Sequence, residues 1–359
     1  MADDKIQILL NCIIKNLKNR KVVIWGKCDA SEAISKTLYE KYGIEVAYIV
    51  DSNPNLHNGT TVKSIDDILG RSKEIYVVIP LKYHQSIVDH LDRSGYTAMD
   101  DYAYYSHKPI SVTHAQMDNY VYSDIYGNKI IGDIGNCKIV FLGYNSIVNI
   151  GKSTSAQENV EIFLEDDASL SIGDNFSIYR NTKWHLLPSA IVSIGDNCKF
   201  EEDSQLTCGK QSEIRIGNGT LFGSRYWMVA NKQTQIKIGK DCLFSRDIMI
   251  RTNDGHSIFD IHTGRNINSL LKDQHKKSIT INDHVWVGAK CTILYNSNIG
   301  KGSIVGAHSL TKKEYPNNCI IAGNPARVIK KDIAWSKENN AESMDIINGE
   351  YVNSTTEIN

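Results

Sequence analysis

The sequence predicts a parallel β-helix preceded by a small α/β domain, and three observations carry that prediction. The pair Ile-Gly recurs every 22 residues through the middle of the chain, the period shortens to six residues from position 281, and residues 1–110 alternate short apolar runs with helical patterns. No single element decides the class; the fixed phase of the repeats does.

The α/β domain comes first. Residues 3–19 set Ile6, Leu9, Leu10, Ile13, Ile14 and Leu17 at helical spacing. VVIW at 22–25 reads as a buried strand, Gly26 as a turn and ASEAISKTLYEKY as a helix. IEVAYIV is a second strand ending at Asp51, IYVVIP at 75–80 a third, and YHQSIVDHLDRSG a second helix. Alternation of this kind calls for a parallel sheet of Rossmann type. Dinucleotide binders use three glycines to turn the chain, approach phosphate and pack on the sheet. Here Gly26-Lys27-Cys28-Asp29-Ala30-Ser31 keeps only the first, so a scaffold or docking role is the stronger expectation, with Asp51 the candidate ribose-binding acid should a nucleotide bind. Residues 111–135 follow neither period and read as a linker.

The β-helix is expected over 136–335. Ile-Gly stands at Ile150-Gly151, Ile172-Gly173, Ile194-Gly195, Ile216-Gly217 and Ile238-Gly239. Two positions before each Ile come Val148, Leu170, Val192, Ile214 and Ile236; six after come Ala156, Ile178, Phe200, Phe222 and Phe244; twelve after come Ile162, Trp184, Leu206, Met228 and Ile250. Downstream, Ile281, Val287, Ile293, Ile299 and Val305 fall six apart. Three hexads make a triangular coil, and stacked coils bury aliphatic columns. An antiparallel sandwich with regular strand spacing is the alternative. The 25 glycines against 6 prolines then read as coil corners, not linkers.

Composition removes other classes. Lys and Arg total 40 against 41 Asp and Glu, which argues against generic nucleic-acid binding. No apolar run approaches the roughly 20 residues of a membrane span, and MADDKIQILL lacks the basic-then-apolar order of a signal peptide, so a cytoplasmic protein is expected. The eight cysteines show no metal-ligand spacing and read as scattered reduced thiols. The tail 336–359 is polar and expected to be largely disordered.

The period breaks once. From Ile238 the next coil start is Ile281, so about 21 residues project as a loop around 252–277, holding Asp254, His256, Asp260, His262, Arg265 and His275. A His with nearby Asp suits general-base work, because imidazole titrates near neutral pH and a carboxylate can fix its tautomer. A polar surface loop is the bland alternative. Metal binding is the third, but no common ligand signature is present, so no metal is expected.

DGHSIFD, DHVWVGA and IGKGSIVGAHSLTKKEYPNNCIIAGNPARVIKKDIAW, in that order, resemble the hexapeptide-repeat acyltransferases, particularly the sugar O-acetyltransferases of capsule and lipopolysaccharide synthesis. The resemblance covers roughly 140–335 and implies a left-handed β-helix, acetyl-CoA as donor, a sugar or polysaccharide hydroxyl as acceptor, and a homotrimer with active sites between protomers. It assigns His256 as general base for direct attack of the hydroxyl on the thioester, with Asp254, then Asp260, orienting the imidazole. Trp286 matches the tryptophan expected beside the thioester; Gly288, Ala289, Gly306 and Ala307 match turns lining the CoA arm; Lys313 and Arg327 match the phosphate-binding cations. Core packing for Trp286 and solvated terminal-coil charges for the two cations are the alternatives. The chain departs from the pattern at Asn282 and His308, where glycine is usual, and His284 reads as structural or acceptor-facing. Two other functions remain open: N-acetylation of a nucleotide-linked amino sugar, and a non-catalytic sugar-binding or oligomerisation scaffold.

Overall fold

The structure is a computed structural model that describes residues 10, 14–51, 62–80, 85–97, 100–104, 109–124, 126–268, 277–338 and 350–357. Most of the helix expected over 3–19 lies outside those residues, as do His275 and the rest of 269–276. The chain divides into two compact units: Met1–Ile110 with Ser123–Asn128 and Leu142–Asn145, and the remainder from Ser111 to Asn359.

In the first unit, β1 (Lys21–Trp25), β2 (Val46–Val50), β3 (Val62–Lys63), β4 (Ile75–Ile79) and β5 (Tyr102–Tyr104) form one sheet of order β3-β2-β1-β4-β5. Every pair in it is parallel. Parallel neighbours need a crossover on a sheet face, and the near-continuous apolar runs of β1 and β4 are buried accordingly. Helix α1 (Asp29–Tyr42) turns Ile34 and Leu38 inward and ends at Gly43, whose φ of +64° supplies the left-handed cap. Helix α2 (Gln85–Arg93) precedes β5. Segments 123–128 and 142–145 join this core through Tyr126 and Tyr144: the Tyr126 and Tyr104 hydroxyls lie 2.6 Å apart, and Tyr144 donates to the Tyr104 carbonyl.

The second unit is a three-faced solenoid. One face runs through Ile147–Ile150, Ser169–Ile172, Ile191–Ile194, Glu213–Ile216 and Gln235–Ile238, the second through two-residue strands such as Lys199–Phe200 and Leu221–Phe222, the third through Val160–Leu164, Thr182–Leu186, Gln205–Cys208 and Trp227–Ala230. From Ile147–Ile150 to Gln235–Ile238 successive coils pair in parallel at an offset of 22, as in Val192↔Ile214 and Phe200↔Phe222, and the later coils at 18 and then 16, as in Thr280↔Asn298 and Ile304↔Ile320. All four apolar columns are buried. The Phe222 ring stacks 4.7 Å from Phe200 and 4.3 Å from Phe244, and Trp184 Nε1 donates to the buried Tyr226 hydroxyl at 2.8 Å.

One reading of the repeat is corrected by the backbone. The Ile-Gly glycines are not the corner residues. The positive-φ positions stand two residues later, at Ser153, Asn175, Asn197, Gly219, Asp241, His284, Gly302 and Asn318, half of them Asn or Asp, which tolerate the left-handed region. The repeat glycines answer a different demand, close stacking: a Cβ on Gly217 would lie 2.5 Å from the Lys240 nitrogen and 2.6 Å from the Gly239 carbonyl carbon. At the same column Asn282 turns its side chain to donate to the Ile299 carbonyl at 2.7 Å. His308, at φ +60°, occupies a further left-handed corner, which accounts for glycine being usual there.

Secondary structure also extends beyond the expected limits. Within the stretch read as a linker, Val121–Ser123 and Lys129–Ile131 are strands of the first face, the latter paired with Ile147–Ile150; the Ile131-Gly132 pair there is out of phase with the 22-residue repeat, so the ladder begins before the period does. At the other end, inside the expected limit, Ile320–Gly323 and Ala326–Lys330 close the second face as an antiparallel hairpin. The described part of the tail, 350–357, is held in place, with the Tyr351 carbonyl accepting from Asn318 Nδ2 at 2.6 Å and Thr355 bonding Asp332.

Six of the seven described cysteines are buried, and burial pushes the thiols of Cys137, Cys208 and Cys242 up to about 12. Such thiols carry no appreciable thiolate at neutral pH, so they serve the core as small apolar groups. Among the described residues no helix is long and apolar enough to cross a membrane.

Two substitutions test the stacking. Phe222→Ala should cost about 3–5 kcal/mol in denaturant unfolding. Gly217→Ala, which adds only a methyl, should also destabilise measurably because backbone, not side chain, stands in its way.

Candidate active site

The projecting loop leaves the third face after Met249–Arg251 and returns at Ile279–Ile281 on the first. Thr252 anchors its root: buried, it accepts a hydrogen bond from the Asn231 nitrogen at 2.8 Å and shares another with Thr234 at 2.7 Å. Gly255 turns the chain at φ +90°, a conformation that a side chain would strain. His256 follows at once.

One asparagine holds the loop's two arms together. Asn268 Nδ2 donates to Asp254 Oδ2 at 3.1 Å and to the His256 carbonyl at 2.8 Å, while its Oδ1 accepts from the Ile258 nitrogen at 2.7 Å. Lys277 reaches the Asn268 carbonyl at 2.8 Å. The backbone of His256 is thus fixed, and its side chain is exposed. Among the described residues its imidazole makes no hydrogen bond, and neither expected acid reaches it. Asp254 instead accepts from the Tyr295 hydroxyl at 3.2 Å, so its carboxylate braces the loop against the next coil. Asp260 accepts from the nitrogens of His262 at 3.0 Å and Thr263 at 2.8 Å and from the Thr263 hydroxyl at 2.9 Å. Those Thr263 and His262 bonds hold its carboxyl below the usual range. A residue so employed shapes the loop tip, which closes by an antiparallel bridge between Phe259 and Asn266.

On the neighbouring coils, Trp286 is 38% exposed, with Nε1 3.5 Å from Ser245 Oγ and its ring 6.0 Å from Trp335. Gly288 and Gly306 occupy one column: a Cβ on Gly288 would sit 2.7 Å from the Ala307 nitrogen, and one on Gly306 would sit 3.2 Å from Ala322 Cβ. With half-buried Ala289 and exposed Ala307 they make a run of small residues on adjacent coils. Lys313 and Arg327, both exposed, come together around buried Tyr315: Lys313 Nζ is 5.7 Å from its ring, and the tyrosine hydroxyl donates to the carbonyl of Ala326, beside Arg327. Among the described residues no group of His, Cys, Asp and Glu is arranged to hold a metal ion.

His284 is a structural residue. Its ring is sandwiched between Trp335 at 4.1 Å and Tyr351 at 4.3 Å, with Nδ1 2.6 Å from Asp241 and Nε2 3.0 Å from the Trp335 carbonyl. Burial would raise the Asp241 carboxyl, but hydrogen bonds from Lys337 and His284 hold it below the ordinary value. Asn268 and Tyr295 escaped the sequence reading. Asn268 lies in a stretch without periodicity, and Tyr295 is 41 residues from the acid it bonds.

No family model matches the chain. It is 36% identical over 98 residues to a polysialic acid O-acetyltransferase of Escherichia coli O1:K1 / APEC, a match spanning 27% of this chain and 30% of that protein. It is 35% identical over 83 residues to the putative lipopolysaccharide biosynthesis O-acetyl transferase WbbJ of Escherichia coli strain K12, spanning 22% and 42% respectively. The chain thus spans less than half the length of these curated relatives. Among solved structures, the polySia-specific acetyltransferase NeuO shares 31% identity over 54% of this chain and 83% of that one, with a TM-score of 0.46.

Asn268→Ala removes three hydrogen bonds, each worth roughly 0.5–1.5 kcal/mol. Protease cleavage within 254–268 should rise about tenfold or more, with the melting temperature of the solenoid unchanged.

Proposed function

Because the β-solenoid and its similarity to polysaccharide O-acetyltransferases fit a hexapeptide-repeat O-acetyltransferase, we propose that this protein transfers acetyl from acetyl-CoA to a hydroxyl of a surface-polysaccharide sugar. The observation that carries the reading is the single period-breaking loop, which presents an exposed His256 on a backbone pinned by Asn268.

His256 takes the proton of the acceptor hydroxyl as its oxygen forms the ester bond, and returns that proton to the departing sulfur. Acetyl-CoA would supply the activated acyl carbon, and coenzyme A would leave as the free thiol once the carbon–sulfur bond breaks. Trp286 would flank the thioester, Gly288, Ala289, Gly306 and Ala307 would line the pantetheine arm, and Lys313 and Arg327 would meet phosphates through charge-assisted bonds. The buried cysteines support direct transfer without an acyl-thiol intermediate. Acetyl-CoA is a cytosolic donor, so this reading places the reaction in the cytoplasm. A nucleotide-gripping role for the α/β unit is not favoured, because Asp29 and Glu32 already complement the α1 N-terminus where phosphate would bind.

A homotrimer belongs to the same reading. Ile258, Phe259, Ile261 and Ile267 are 47%, 57%, 89% and 62% exposed on the one loop. Seating it on a second copy would bury these side chains and bring new groups to the His256 imidazole.

His256→Ala should lower kcat/KM for acetyl transfer about 10²- to 10⁴-fold with the circular dichroism unchanged; full activity in that variant would falsify the general-base assignment. Light scattering should give a trimer, and Ile261→Asp should shift it towards monomer with loss of transfer. A fully active wild-type monomer would overturn the shared-site reading.

A further inference from the structure

The outer surface of the third face carries a feature that the transfer chemistry does not use. Along this face the residues that alternate with the buried column point outward, and the ladder stacks them in two files. One file is Glu161, Lys183, Gln205, Trp227 and Met249; the other is Phe163, His185, Thr207, Val229 and Arg251. Strand spacing sets each step at about 4.8 Å. Both files run towards the projecting loop, since Arg251 is the last strand residue before it.

Trp227 is 41% exposed in the middle of this face. A large indole left open on a regular ladder is an apolar plate with a π-face. The Arg251 guanidinium lies over that ring, 5.5 Å from its centroid. Arg251 Nη2 donates to Asn253 Oδ1 at 3.0 Å, and Nε is shielded from solvent without any hydrogen-bond acceptor. Among the described residues no carboxylate lies within ion-pair distance of Arg251, whereas the other cations of the face are matched: Lys138 and Lys183 share Glu161, at 3.0 and 3.2 Å. A half-buried guanidinium without a carboxylate partner among the described residues, stacked on an exposed aromatic plate, is a recognition group for an anion.

Its position ties it to the catalytic loop. A Cβ on Gly255 would lie 3.3 Å from Arg251 Nη2, so the guanidinium sits against the residue preceding His256. Further along the same face, a hollow of about 370 Å³ is lined by Phe163, Lys183, His185, Gln205 and Thr207, together one aromatic ring and several hydrogen-bonding groups.

We propose that Trp227 and Arg251 form an acceptor subsite for a sugar bearing a carboxylate, the pyranose stacking on the indole and its carboxylate engaging the guanidinium, and that the hollow beyond takes the next residues of the glycan. This deepens the acetyltransferase reading by naming its acceptor as an anionic oligosaccharide lying along the coils. The chemistry is specific: a neutral sugar can stack on Trp227 but leaves Arg251 unanswered, and a free carboxylate can pair with Arg251 but gains nothing from the plate.

Calorimetric titration of the full-length protein, without acetyl-CoA, separates these cases. The probes are oligomers of sialic acid and of galacturonic acid, with maltoheptaose as the neutral control. The carboxylated oligomers should bind at least about tenfold more tightly than maltoheptaose. Arg251→Gln should abolish that preference, Arg251→Lys should restore part of it, and Trp227→Ala should weaken all three sugars. CoA affinity should stay at the wild-type value in each variant, which shows that the fold is intact. Equal affinity for neutral and carboxylated oligomers, or no effect of Arg251→Gln, overturns the proposal. So does Trp227→Ala changing the oligomeric state, which would show that a second copy covers this face. Binding that depends on both residues in a protein that acetylates no sugar would leave the subsite standing and remove the catalytic reading instead.

Discussion

The parallel hydrogen-bond ladder between coils governs everything else in the solenoid. Once Val192 pairs with Ile214 and Phe200 with Phe222, each residue of these central coils must lie over its counterpart 22 positions away. Inward positions then become columns of like side chains, and steps too tight for a Cβ become glycine. Outward positions become ladders, such as Asn159 Nδ2 on Asn181 Oδ1 at 2.8 Å and Asn181 Nδ2 on Asp203 Oδ1 at 2.9 Å. Each coil contacts only its neighbours, so an extra segment can be accommodated in one place only: outside. The projecting loop is what that constraint does with about 21 surplus residues, and it is there that His256 stands.

Rigidity and freedom are divided accordingly. Thr252, Asn268 and the Asp254–Tyr295 bond tie the loop to stacked coils, so the His256 backbone has the precision of the scaffold. The imidazole itself is exposed and makes no hydrogen bond among the described residues. The outward file ending at Arg251 brings the scaffold's regular spacing to within one residue of that loop.

What could be read without coordinates follows from the same ladder. Identity repeated at a fixed step reveals columns, and all four apolar columns are buried. The α/β unit was legible because buried parallel strands are near-continuous apolar runs. Backbone conformation was not: the glycines looked like corners, whereas Asn175, Asn197 and Asp241 turn the chain and the glycines only make room. The acids in the loop were visible as Asp254 and Asp260, but their partners were not, because Tyr295 is brought to Asp254 by coil stacking across the insertion and Asp260 answers to backbone N–H groups that no pattern marks. Strands 121–123 and 129–131 and the docked segment 350–357 were missed for a common reason. They are held by ladder and side-chain-to-backbone bonds, without an apolar rhythm of their own.

The closing hairpin has a consequence beyond tidiness. Parallel, in-register sheets with stacked Asn and Gln side chains, including Gln233 Nε2 on Gln211 Oε1 at 3.0 Å, share the geometry of cross-β fibrils. An open terminal coil would offer its unpaired edge to any similar chain. Reversing direction from Ile320–Gly323 into Ala326–Lys330 ends one face on an antiparallel strand carrying Arg327 and Lys330, and the strands ending the other two are flanked by Lys312, Lys313 and Glu314. Chain reversal and charge at the edges are the means by which natural sheets refuse further strands. The same repeat that makes the protein stiff is thereby kept from becoming a filament.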